Sequence, residues 1–109
     1  MKDILAKAEE LGKMIAASGR LQALKSVRND VAEDKDLQAD IQALNELGET
    51  IAQLEKEVKP VEPDQKRRRR DLQQKVTGHP RMQALARAEA DVAELMNRVN
   101  NTIYSEALK

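Results

Sequence analysis

Apolar residues recur along almost the whole chain at intervals of three and four, the spacing that lines one face of a helix. The longest stripe comes last. Met82, Leu85, Val92, Leu95, Met96, Val99, Ile103 and Ala107, separated by charged residues such as Arg87, Glu94 and Arg98, predict a helix over about 80–108. At a rise of 1.5 Å per residue it reaches roughly 40 Å, so its stripe needs an equally long partner. The middle of the chain offers one: Leu37, Ile41, Leu44, Ile51, Leu54 and Val58 predict a helix over 35–58, with Leu47 and Gly48 sharing the place between.

The shorter elements follow from the punctuation. Ile4, Ala8, Leu11 and Ile15 form a seam over 2–17, which Ser18-Gly19 interrupts. Ser18 is a good N-cap for a second helix over 19–32 that carries Leu21, Leu24, Val27 and Val31 on one face. Asp34 or Asp36 can cap the helix over 35–58. Lys59-Pro60-Val61-Glu62-Pro63 forces an extended connection, because each proline biases the residue before it away from the helical region. Asp64 can then cap a fourth helix over 65–77, in which only Leu72 and Val76 are candidates for burial, before Thr77-Gly78-His79-Pro80 supplies a glycine stop and a proline start. The expected architecture is all-α, one domain over 1–109: a long antiparallel hairpin of 35–58 and 80–108 with shorter N-terminal and connecting helices, completed by dimerisation.

Composition sharpens this in two ways. The chain has no Phe, no Trp and one Tyr, so helix seams of Leu, Ile, Val and Ala must do the packing. It also has no Cys, which removes disulfides, thiolate nucleophiles and Cys-ligated metals, and no cofactor is expected. The N-terminus lacks an apolar signal region and no stretch of about eighteen uncharged residues occurs, so a cytoplasmic protein without membrane insertion is expected. Net charge is zero but unevenly laid out: residues 29–64 hold eleven acids against three bases, and residues 65–81 seven bases against one acid.

Three features compete for a functional reading. Lys66-Arg67-Arg68-Arg69-Arg70 could contact phosphates or an acidic protein surface. Consecutive helical residues turn by about 100°, however, so the run wraps its helix, and aromatic platforms for single strands are absent. The plainer reading is a solvated collar. With two prolines and five like charges in a row, residues 59–71 are expected to be the most mobile internal segment and the place where a partner docks. A local repeat, ELGxxIA, sets Gly12 and Gly48 beside seam leucines; with Ile15, Leu21 and Leu24 these are the candidate oligomer contacts, against coincidence in an Ala/Leu/Glu-rich chain. His79 stands alone, without a second histidine to share a metal, and reads as a linker or cap residue. Acidic pairs such as Glu9-Glu10 and Glu55-Glu57 read as surface, and three of the four methionines, Met14, Met82 and Met96, as seam residues. No phosphate loop or catalytic triad is present, so no catalytic residue is assigned.

Ala8-x-x-Leu11-Gly12-x-x-Ile15-x-x-Ser18, the acidic break at Asp34, Ile41 and Leu44, and His79-Pro80 leading into Ala88-Glu89, Leu95, Val99-Asn100 and Ile103 together resemble the YlbF/YmcA family of small bacterial regulators of competence and biofilm formation. The resemblance implies a helical hairpin subunit, homo- or hetero-oligomers, and an adaptor role without catalysis. It also implies a place among proteins that influence mRNA processing by a membrane-anchored ribonuclease. Family members associated with iron–sulfur clusters use cysteines, and this chain has none. Two functions fit these residues: a regulatory adaptor working by protein contact as a homo-dimer, and, as the alternative, a direct nucleic-acid binder using Lys66 to Arg70.

Overall fold

A computed structural model describes residues 1–109 as five helices and no strand: α1 (Lys2–Ala17), α2 (Gly19–Glu33), α3 (Lys35–Lys56), α4 (Pro63–Thr77) and α5 (Pro80–Ala107). The chain groups into two compact units, residues 1–29 with 84–109, and residues 30–83.

In the first unit, α1 stops where Ser18 turns extended, and the Ser18 hydroxyl both donates to the Ile15 carbonyl at 2.6 Å and accepts from the Leu21 N–H at 3.4 Å. One side chain thus closes α1 and opens α2. Arg20, in the first turn of α2, donates to the Asp91 carbonyl at 3.0 Å and lies 3.7 Å from Glu94, which ties α2 to α5. Leu24 and Ala88 are the buried residues here. The apolar surface of α1 is only partly covered: Leu11 and Ile15 are half-buried, but Ile4 is 73% exposed and Met14 71%, so the assignment of Met14 to a packed seam is corrected. At the far end Ile103, Tyr104 and Leu108 are exposed as well.

In the second unit the end of α2, all of α3 and α4, and the first turn of α5 gather around Val31, Leu37, Ile51 and Val76, with Leu37 only 1% exposed. Asp34 opens α3, its Oδ1 accepting from the Leu37 N–H at 3.0 Å, as an N-cap should. The helix that packs on α3 is α4, and the two run antiparallel: Lys75, late in α4, pairs with Asp40, early in α3, at 3.1 Å. The segment expected to serve as a connector is therefore one arm of a hairpin.

Three local expectations are corrected. α3 ends at Lys56, two residues short of the apolar pattern, and Val58 lies outside it, 91% exposed with a φ of 57°. The Val58 N–H donates to the Glu55 carbonyl and the Lys59 N–H to the Leu54 carbonyl, a left-handed helix end that glycine normally occupies. Pro60 enforces the stop, since it disfavours helical geometry at Lys59. α4 is capped by Glu62, not Asp64, through reciprocal bonds with Gln65, and Pro63 takes the first helical position. Gly78 closes α4 with a φ of −82°, so its glycine is not required by a left-handed turn; a Cβ there would stand 2.9 Å from the Gln74 carbonyl.

Candidate functional site

The basic run is helical, exposed and divided by the turn of α4. Arg67 and Arg68 lie along one side with Asp64, Asp71, Leu72 and Lys75, where Arg67 pairs with Asp64 at 3.5 Å. Lys66, Arg69 and Arg70 lie on the other side, beside α3. Arg70 reaches Asp71 of its own helix at 3.4 Å, whereas Lys66, Arg68 and Arg69 form no ion pair. Five cations in sequence therefore give two smaller patches in space.

The α3-facing patch borders a groove. Its two adjoining stretches, about 350 and 560 Å³, share Arg69 and Gln73. Ile51, Leu44, Gly48 and Ala52 of α3 contribute its apolar part. Glu49 and Glu55 stand on the α3 side, and neither forms an ion pair with the cations opposite. Gly48 is the sequence-derived candidate that the groove absorbs: nothing stands within 4 Å of where its Cβ would be. A glycine inside a helix costs about 1 kcal/mol against alanine, and packing within the subunit gives no return for that cost.

The other candidates lie elsewhere. Gly12, on α1, also has open space at its Cβ, and Ile15 and Leu21 are half-buried. Leu24 is buried within its own subunit, which leaves it little surface to offer another.

A second constellation, around Asp34, combines residues that the pattern treated separately. While Oδ1 caps α3, Oδ2 accepts from the Arg81 guanidinium at 2.9 Å and lies 3.7 Å from His79 Nε2. His79 caps α5, its Nδ1 accepting from the Arg81 N–H at 3.1 Å, and Arg81 also donates to the Asp30 carbonyl. The Leu37 N–H, with the charges of Arg81 and His79, holds the Asp34 carboxyl below its usual value; partial burial opposes this. Each partner is accounted for by a helix end, so the cluster is a clasp between elements. Arg81 carried no signal in the apolar pattern, because its role depends on a partner 47 residues away. No group of three His, Asp or Glu side chains stands close enough to hold a metal ion.

A family model described as control of competence regulator ComK, YlbF/YmcA, matches residues 4–107. The chain belongs to the YlbF/YmcA family. Neither the curated proteins nor the solved structures give a match. Membership gives this YlbF/YmcA chain a regulatory setting, and no helix in it is long and apolar enough to cross a membrane. Gln73, Ala52 and Thr77, which line the groove of this YlbF/YmcA chain, lie off the apolar stripes and become neighbours only when α4 folds back on α3.

Proposed function

We propose that the chain is a non-enzymatic regulatory adaptor that works in the cytoplasm as a homo-dimer and acts through helix-mediated contacts with other proteins. The observation that carries this reading is apolar helix surface without a partner: Ile4, Leu5 and Met14 on α1, and Ile103 and Tyr104 on α5, are all exposed. Surface of this kind, on helices that alternate it with charge, is what paired helices bury. The family gives the setting, control of a competence regulator, and by resemblance bacterial mRNA processing.

The second reading, direct nucleic-acid binding, draws on the unpaired Lys66, Arg68 and Arg69. Splitting of the run between two sides of α4 works against it, since fewer phosphates can be met at once. Affinity capture from native cytoplasm with and without nuclease separates the two. A protein partner retained after nuclease supports the adaptor. Loss of all partners on nuclease treatment, together with RNA or DNA affinity that falls steeply with salt and disappears in Arg67→Ala with Arg69→Ala, would replace it with the binder.

A further inference from the structure

The groove between α3 and α4 has opposite charges on its two walls and nothing joining them. Lys66, Arg69 and Arg70 stand along α4, Glu49 and Glu55 along α3, and the ion pair that does cross the hairpin, Lys75 to Asp40, lies beyond these residues toward the start of α3. Walls of opposite sign that satisfied each other would close the groove. Instead it stays open at about 350 and 560 Å³, with Gly48 leaving unfilled space at its Cβ. An apolar seam flanked on one side by cations and on the other by anions is the surface that a third helix meets in a coiled coil, where flanking charges fix partner and orientation.

We propose that this groove docks an amphipathic helix of another protein, with small or aliphatic residues facing Gly48, Ala52 and Leu44, acidic residues along α4, and basic residues along α3. A second copy of this chain fits less well. Its exposed apolar helix α1 carries three lysines and three acids, Lys2, Lys7 and Lys13 against Asp3, Glu9 and Glu10, mixed along its length instead of sorted to two flanks. The inference rests on the adaptor reading and assigns its partner surface.

The test uses the full chain and a designed probe: a helical peptide of three heptads with Ala and Leu at the seam, Glu along one flank and Lys along the other. A peptide of the same composition with Glu and Lys scrambled between the flanks is the control. The expected result is that the sorted peptide shifts the amide resonances of Gly48, Ala52, Arg69 and Gln73, and binds at least about tenfold more tightly than the scrambled one. Gly48→Gln fills the groove and should weaken binding by at least about tenfold, while thermal unfolding moves up or stays level because glutamine is the better helix former. Equal binding of sorted and scrambled peptides, shifts confined to other surfaces, a poly-uridine oligonucleotide displacing the sorted peptide, or concentration-dependent self-association shifting the same four amides would each overturn the proposal. A native protein partner whose binding ignores Gly48→Gln would remove the groove and leave the adaptor standing. Absence of any native protein partner would remove the adaptor while the peptide result still reports on the groove.

Discussion

Val58 is the residue most at odds with its conformation. It holds a φ of 57°, where a β-branched side chain crowds its own backbone, and at 91% exposure it gains almost no packing in return. A left-handed conformation costs roughly 1–2 kcal/mol for a residue with a Cβ. Val58→Gly should therefore raise stability by about 1 kcal/mol, less than the full strain because glycine loses more freedom on folding; urea denaturation giving no gain would show that the helix end relaxes by another route. Asp34 poses the opposite case, a residue with three partners. Its carboxyl is held below its usual 3.8, chiefly by the Leu37 N–H and then by the charges of Arg81 and His79, so the ionised form is the one that supports the fold. The support is complete above the unfolded value, near pH 4, and is withdrawn as pH falls through the folded value. Asp34→Asn keeps an oxygen for the Leu37 N–H but loses the charge. It should flatten the acid side of the stability curve below about pH 4, relative to the wild type, while leaving α3 capped. An unchanged acid limb would locate that pH dependence in other carboxylates.

At the scale of elements, periodicity revealed the two long helices α3 and α5, whose stripes run over five or more turns, while the shorter helices, α4 above all, were legible mainly from the caps, glycines and prolines that bound them. Boundaries followed wherever a local rule was decisive: Ser18 at the first break, Asp34 at the second, Pro80 at the last. They slipped at Val58 and at Glu62, where apolar character and acidity matched the pattern but the prolines nearby determined the geometry. The pairing of α3 with α4 was not legible, since α4 has only Val76 fully buried and Leu72 half-buried, too weak a stripe to show as a partner. Nor was the groove, which exists only once the pairing is made; Gly48 alone hinted at it. The pairing can be checked through its core. Ile51→Ala should destabilise by about 2–5 kcal/mol, as expected for a buried aliphatic residue, and Val76→Ala by less in proportion to its smaller side chain. Amide exchange should also run faster over residues 59–71 than over α5, because the start of α4 has no buried side chain. Equal protection would show that the basic segment is held as firmly as the long helix.

For the whole molecule the governing quantity is surface left in water. Within the first unit Ile4, Leu5 and Met14 on α1 and Ile103 and Tyr104 on α5 all stand in water. Six apolar residues are buried, and only Leu37 completely, so the fold has little cohesion of its own. A thin core of this kind predicts that stability depends on association, and a dimer's melting temperature rises with protein concentration because its unfolding releases two chains. Sedimentation equilibrium at micromolar concentration should accordingly give a mass twice 12.2 kDa, and the melting temperature should climb over a hundredfold concentration range. Ile4→Glu combined with Ile103→Glu alters two residues already exposed in the subunit, so loss of association in that variant cannot be attributed to loss of its core. The variant should sediment as a 12.2 kDa chain and melt at a lower, concentration-independent temperature. A wild-type protein that is monomeric at micromolar concentration and still unfolds cooperatively would reject the dimer and require that the exposed Ile4, Leu5 and Met14 of α1 be covered by a different protein.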